Sequence, residues 1–114
     1  MTSPNYGILR QAMLTGAPVS FWYKGHGRLA CPHVLGFKRG AEHVLVYQYG
    51  GGSASGLPPG GEWRCLNVSE MSNVRPISGG WHTDPNHSQT QTCVDQVDVE
   101  LWVDPAGQPY VKRA

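Results

Sequence analysis

Phe21-Trp22-Tyr23-Lys24-Gly25-His26-Gly27-Arg28, running on to Cys31-Pro32-His33, is the stretch whose reading decides the fold. Val19, Phe21 and Tyr23 alternate with Ser20, Trp22 and Lys24, which predicts a strand over 18–24 with an apolar stripe ending in a phenol. Gly25-His26-Gly27 reads as a three-residue hairpin loop needing positive φ at one or both glycines. A second strand over 28–35 then brings Arg28 and His33 back beside Tyr23. Pro32 has no N–H to donate, so it belongs at an edge, a bulge or a bend of that strand. An aromatic ring, a guanidinium and an imidazole around one hairpin make a candidate anion or nucleotide site.

Upstream, Ser3 as N-cap and Pro4 at the first helical position predict a helix that presents Tyr6, Leu9 and Met13 on one face and stops at Gly16. About three turns long, it must pack on the downstream strands in order to persist. Beyond the hairpin, a loop over 36–41 leads to a strand over 43–49, and the low-complexity run 50–61 reads as a long mobile loop. Strands over 63–68 and 73–77 come next. One helix and five short strands predict a small, strongly bent Sm/SH3-like barrel, mainly β, over residues 1–78. Residues 79–114 read as an extension packed on the same domain. It comprises a polar linker, a strand around Val97, Val99 and Leu101, a turn at Asp104-Pro105-Ala106-Gly107, and a returning arm over 109–111.

The 114 residues suffice for one domain with a single modest core. Residues 1–80 hold seven Lys and Arg against three Glu, a net +4, while residues 81–114 hold two against five, a net −3. A mildly basic body with an acidic extension suits a body that meets an anion, and solvated charge is the duller account. No apolar run is long enough to span a membrane and no signal peptide is evident. Cys31, Cys65 and Cys93 are odd in number and follow no paired spacing, so they read as reduced thiols of a cytoplasmic protein.

From Ile8 to Ile77 the chain resembles the WYL domain, an Sm-like barrel of bacterial transcriptional regulators. The likeness rests on Ile8-Leu9-Arg10-Gln11-Ala12, on Val19-Ser20-Phe21-Trp22-Tyr23, and on Arg28-Leu29-Ala30-Cys31-Pro32-His33. It continues through His43-Val44-Leu45-Val46-Tyr47-Gln48 to Trp63-Arg64-Cys65-Leu66-Asn67-Val68, which looks like the family's Arg-x-Phe-x-Leu-Asp segment. The name-giving tripeptide falls on His43-Val44-Leu45 and keeps only its leucine, and no winged helix-turn-helix precedes the barrel, so the match is to a stand-alone form. The resemblance implies a ligand-sensing barrel that binds a nucleotide or short single-stranded nucleic acid and serves phage defence or transcriptional regulation. It also implies Arg28 and Arg64 as the basic ligand positions.

Arginine suits that role because its planar fork holds phosphate bidentately and stays charged. Around the two arginines, Tyr23 and Tyr47 would stack on bases, and His33 and Gln48 would fix orientation. The duller alternative makes both tyrosines core edges and pairs the arginines with Glu42, Glu62 or Glu70. Cys31-Pro32-His33 has the spacing of a thiol–imidazole pair, but no orienting carboxylate or nucleophile elbow accompanies it, so the chain reads as non-enzymatic. His82, His87 and Cys93 could join Cys31 or His33 around zinc, yet their spacing fits no standard site, and neither metal nor cofactor is expected. The rival class is a protein-interaction or dimerisation module in which the strand over 97–103 offers a pairing edge and the pocket is vestigial.

Overall fold

The computed structural model describes residues 2–52, 56–57, 61–83 and 91–114. Helix α1 (Pro4–Leu14) is followed by strands β1 (Val19–Tyr23), β2 (His26–Lys38), β3 (Ala41–Gly51) and β4 (Glu62–Asn67). A single 3₁₀ turn (Val68–Glu70), β5 (Met71–Pro76), β6 (Gln96–Val103) and β7 (Pro109–Arg113) complete the order. The chain is mainly β with an N-terminal helix, but the expected closed five-stranded barrel does not form. Among the described residues, seven strands make one open antiparallel sheet along the path β4-β3-β2-β1-β5, with β6 added to β2 and β7 to β6.

The departure originates in β2. Its first half pairs with β1, from Val19↔Ala30 to Tyr23↔His26, and its second half pairs with β6, from Val34↔Glu100 to Phe37↔Gln96. Strand β3 lines the other edge of β2 throughout, with register shifts between Leu29 and Ala30 and between Pro32 and Val34. Pro32 falls between the two partners, where a missing N–H costs no ladder bond. At Gly36 an added Cβ would lie 2.0 Å from the Gln96 carbonyl oxygen, so only glycine lets β6 approach this closely. The segment expected to be an appendage is thus part of the sheet.

Both early turns are tighter than their sequences indicated. Tyr23 pairs with His26, and the loop is Lys24-Gly25 at φ 50° and 82° rather than Gly25-His26-Gly27. Gly27 stays in β2, beneath the Trp22 ring. Likewise Arg39-Gly40, at φ 52° and 81°, replaces the expected loop over 36–41. Both are two-residue turns with positive φ at each central residue, whose twist matches the strands they join. The glycine run also begins differently from expectation. Gly50 and Gly51 belong to β3 and pair with Leu29 and Arg28, while 53–55 and 58–60 lie outside the described residues.

Helix α1 forms as its ends dictate. The Ser3 hydroxyl accepts the Tyr6 N–H at 3.3 Å, Pro4 opens the first turn, and Gly16 follows the last at φ 69°. Tyr6, Leu9, Ala12 and Met13 are buried in one core with Val19, Phe21, Val44, Val46 and Val99, on the face of the sheet that α1 covers. Polar bonds fix its position: Ser3 donates to the Glu42 carboxylate, Asn5 to the Val68 and Met71 carbonyls, and Tyr6 and Arg10 to Asp98. A second, smaller core of Val34, Leu45, Cys93 and Val94, flanked by Trp63 and Val97, lies on the opposite face. There Cys65 and Cys93 form a disulfide, contrary to the expectation of three reduced thiols, and Cys31 alone is free. An odd count conceals a pair plus a singlet. The partners meet only because β6 docks on β2 and carries residue 93 over β4.

Candidate functional site

Paired residues in a ladder share a face. Phe21↔Arg28, Ala30↔Gln48 and Val46↔Arg64 therefore place Arg28, Gln48 and Arg64 together on the face that α1 covers, with Tyr23 on the same face. Arg28 is 6% exposed. Its Nη1 donates to Gln48 Oε1 at 3.4 Å, its Nη2 donates to the Tyr23 carbonyl at 3.2 Å, and its Cζ lies 5.0 Å from the Tyr23 ring centre. Its Nε is buried without a partner, and no carboxylate pairs with it among the described residues. Burial lowers its pKa first, the nearby Arg64 guanidinium lowers it further, and only Tyr23 acts in the opposite sense. Arg64 is the outer member, and its Nη2 reaches Glu62 at 2.7 Å and the Gly56 carbonyl at 3.0 Å. The two guanidinium groups expected to converge do so; one is ion-paired and the other is not.

Gln48 is fully buried, and its role is to hold Arg28. Its amide donates to the Gly50 and Gly52 carbonyls at 3.0 and 3.1 Å, which leaves its oxygen facing the guanidinium. Gly51, at φ 86°, is the ladder partner of Arg28 in β3, so close beside it that an added Cβ would lie 2.6 Å from the Arg28 Cα. Tyr23 is a wall rather than a stacking platform. Its hydroxyl donates to Glu70 at 2.9 Å and accepts the Asn67 N–H at 3.3 Å, and burial is the first cause of its raised pKa. A shallow depression of about 350 Å³ lies nearby, lined by Trp22, Tyr23, Lys24, Glu70 and Asn73, without either arginine. The arginine cluster is thus separate from this depression, and Arg64 is its less buried member.

His33 and Tyr47 are on the other face, so the six expected residues do not form one surface. Tyr47 pairs with Cys31 and Trp63, and its ring meets Trp63 edge-on at 5.2 Å. His33, two residues after Cys31 on β2, faces the same side, 4.6 Å from Trp63 and 5.1 Å from Trp81. Its Nδ1 bonds the Cys31 carbonyl at 2.8 Å and its Nε2 meets the Thr83 hydroxyl at 3.1 Å. The imidazole therefore engages the backbone of Cys31 and not its thiol. Burial pushes that thiol up to about 11, and the His82 N–H reaches Sγ at 3.2 Å. Such a thiol is inert. Iodoacetamide near neutral pH is expected to leave Cys31 unmodified in the native protein and to alkylate it once denaturant is added; labelling of the folded chain, read by mass spectrometry, would contradict this burial.

The zinc constellation does not assemble from the described residues. Cys93 is held in the disulfide, His82 stacks on Tyr49 at 4.0 Å, and His87 lies outside the described residues. No group of three metal-ligating side chains occurs among the described residues. No helix among them is long and apolar enough to cross a membrane. Of the acids that the duller alternative set against the arginines, Glu62 does pair with Arg64, from which it stands two positions away on the same strand face. Gly51, beside Arg28, is the neighbour that sequence reasoning did not place there. Comparison with known proteins returns no matching family model, no matching curated protein and no matching solved structure.

Proposed function

We propose that this chain is a non-enzymatic binding module that captures a phosphate-bearing ligand, a nucleotide or short single strand, through Arg28 and Arg64. The observation that carries the reading is the state of Arg28: buried, with one N–H unpartnered, no acid beside it among the described residues, and a second cation close by. Burying a charge without a counter-ion costs several kcal/mol, and an anion seated between the two guanidinium groups would recover part of that cost. Gln48 and Tyr23 pre-orient the inner fork, and the less deeply buried Arg64 offers the point of entry. The resemblance of residues 8–77 to the WYL domain carries the same expectation, including a regulatory role.

A thermal-shift titration with adenosine monophosphate and with a short oligothymidylate tests the reading. Saturation at 100 times Kd would add about 2.7 kcal/mol of stability to the native chain. Arg28→Met keeps the volume and removes the charge, so it is expected to abolish that gain, and Arg64→Ala to lower the salt slope of single-strand binding by about one unit. Equal stabilisation of wild type and Arg28→Met would remove Arg28 from the site.

One observation favours the interaction module as a second reading. Trp102, Tyr110 and Val111 are exposed on the β6–β7 hairpin, and among the described residues β7 pairs with β6 alone. Strand β6 pairs with β2 over 96–100 and with β7 over 100–103, so β7 carries a pairing edge next to the one expected at 97–103. Light scattering that shows a salt-independent dimer without oligonucleotide affinity would favour it.

A further inference from the structure

Among the described residues, one carboxylate lies in the Arg28–Arg64 cluster. Gln48↔Glu62 and Val46↔Arg64 set Glu62 on the arginines' face, beside the amide that holds Arg28. Its carboxylate meets Arg64 Nη2 at 2.7 Å, and its side chain is 44% exposed. No other side-chain bond holds Glu62 among the described residues. Such a half-exposed pair opens readily, because water compensates the released carboxylate. Arg28, in contrast, has only neutral partners. Among the described residues the cluster therefore carries two positive charges and one negative, and the negative charge occupies the outer of the two places where an incoming anion would bind.

We propose that Glu62 is a built-in competitor for this site, so that the ligand able to open it is a phosphomonoester rather than a monoanion. This rests on the anion-binding reading above. A carboxylate, or the internal phosphodiester of a strand, brings the single charge that Glu62 already supplies, and Glu62 supplies it intramolecularly at high effective concentration. A phosphomonoester carries close to two charges at neutral pH and three strong acceptor oxygens. It can engage both guanidinium groups at once while Glu62 swings into solvent. A mononucleotide and the phosphorylated end of a strand share this chemistry.

The test is a tryptophan-fluorescence titration of the full chain and of Glu62→Gln. The probes are adenosine monophosphate, a 5′-phosphorylated oligothymidylate and the same oligonucleotide without its terminal phosphate. Glutamine still accepts a bond from Arg64, and an unchanged near-ultraviolet circular dichroism spectrum certifies the fold. Wild type is expected to bind the phosphorylated oligonucleotide roughly tenfold more tightly than the other, and Glu62→Gln to tighten every probe by about the same factor. Unchanged or weaker binding by Glu62→Gln, with wild type still binding, overturns the competitor and spares the anion site. Equal wild-type affinity for the two oligonucleotides overturns the phosphomonoester assignment. Absence of binding by both proteins to all probes removes the anion reading itself. Strong adenosine monophosphate binding with a weak oligonucleotide response identifies the free nucleotide as the source.

Discussion

Reducing the Cys65–Cys93 disulfide is expected to lower the stability of the chain by about 3.5 kcal/mol, the loop-closure entropy of a cross-link spanning 28 residues. For a chain of 114 residues this corresponds to a fall in Tm of roughly 15 °C. The native state has little on that face with which to compensate. The second core holds only Val34, Leu45, Cys93 and Val94, with Trp63 and Val97 at its margin. Thermal melts with and without reductant, and of the paired Cys65→Ala and Cys93→Ala variant, measure the effect. A loss below about 1 kcal/mol would show that the small core holds β4 to the start of β6 without the cross-link. Because such bonds persist in oxidising surroundings, the same measurement bears on the expected cytoplasmic setting: a reducing cytoplasm would leave this face without its cross-link.

Where the sequence could be read, the signal was local. Ser3-Pro4 and Gly16 bounded α1 because capping depends on residues within one turn, alternation revealed β1 and β6, and the turn at 104–107 revealed the β7 arm. Alternation tells which side a residue faces, not which strand lies alongside. The change of partner along β2 was therefore invisible, and with it the open sheet and the disulfide. Lys24-Gly25 and Arg39-Gly40 escaped notice because lysine and arginine are uncommon at positive φ, whereas Asn-Gly would have signalled the same turn. The site shows the same division. Arg28, Gln48 and Arg64 converge because each stands in register on one face. Parity alone separates the adjacent Tyr47 and Gln48, and this could have excluded Tyr47 from the pocket at the outset. The same parity applies to His33, five positions from Arg28 on β2 and therefore on the opposite face.

Gly36→Ala is expected to destabilise the fold by about 3 kcal/mol or more, despite adding one methyl group. The new Cβ would lie 2.0 Å from the Gln96 carbonyl oxygen and 2.7 Å from Val94 Cγ1. A side-chain methyl can turn away, but the carbonyl moves only if β6 slides off β2. That displacement would carry Asp98 away from Tyr6 and Arg10, so the damage would spread to the seating of α1. Gly7→Ala is the control. It sits in α1 with open space around its Cα, and alanine there is expected to add about 0.5–1 kcal/mol. Urea unfolding measures both, and amide exchange over 96–103 locates the loss. A Gly36→Ala chain within about 0.5 kcal/mol of wild type, with β6 amides still protected, would show that β6 can yield without leaving the sheet. The two largest effects also share a segment, since Cys93 lies three residues before Gln96. Disulfide removal in the Gly36→Ala background should therefore cost less than in wild type, because β6 is already displaced and the cross-link has less native structure left to hold.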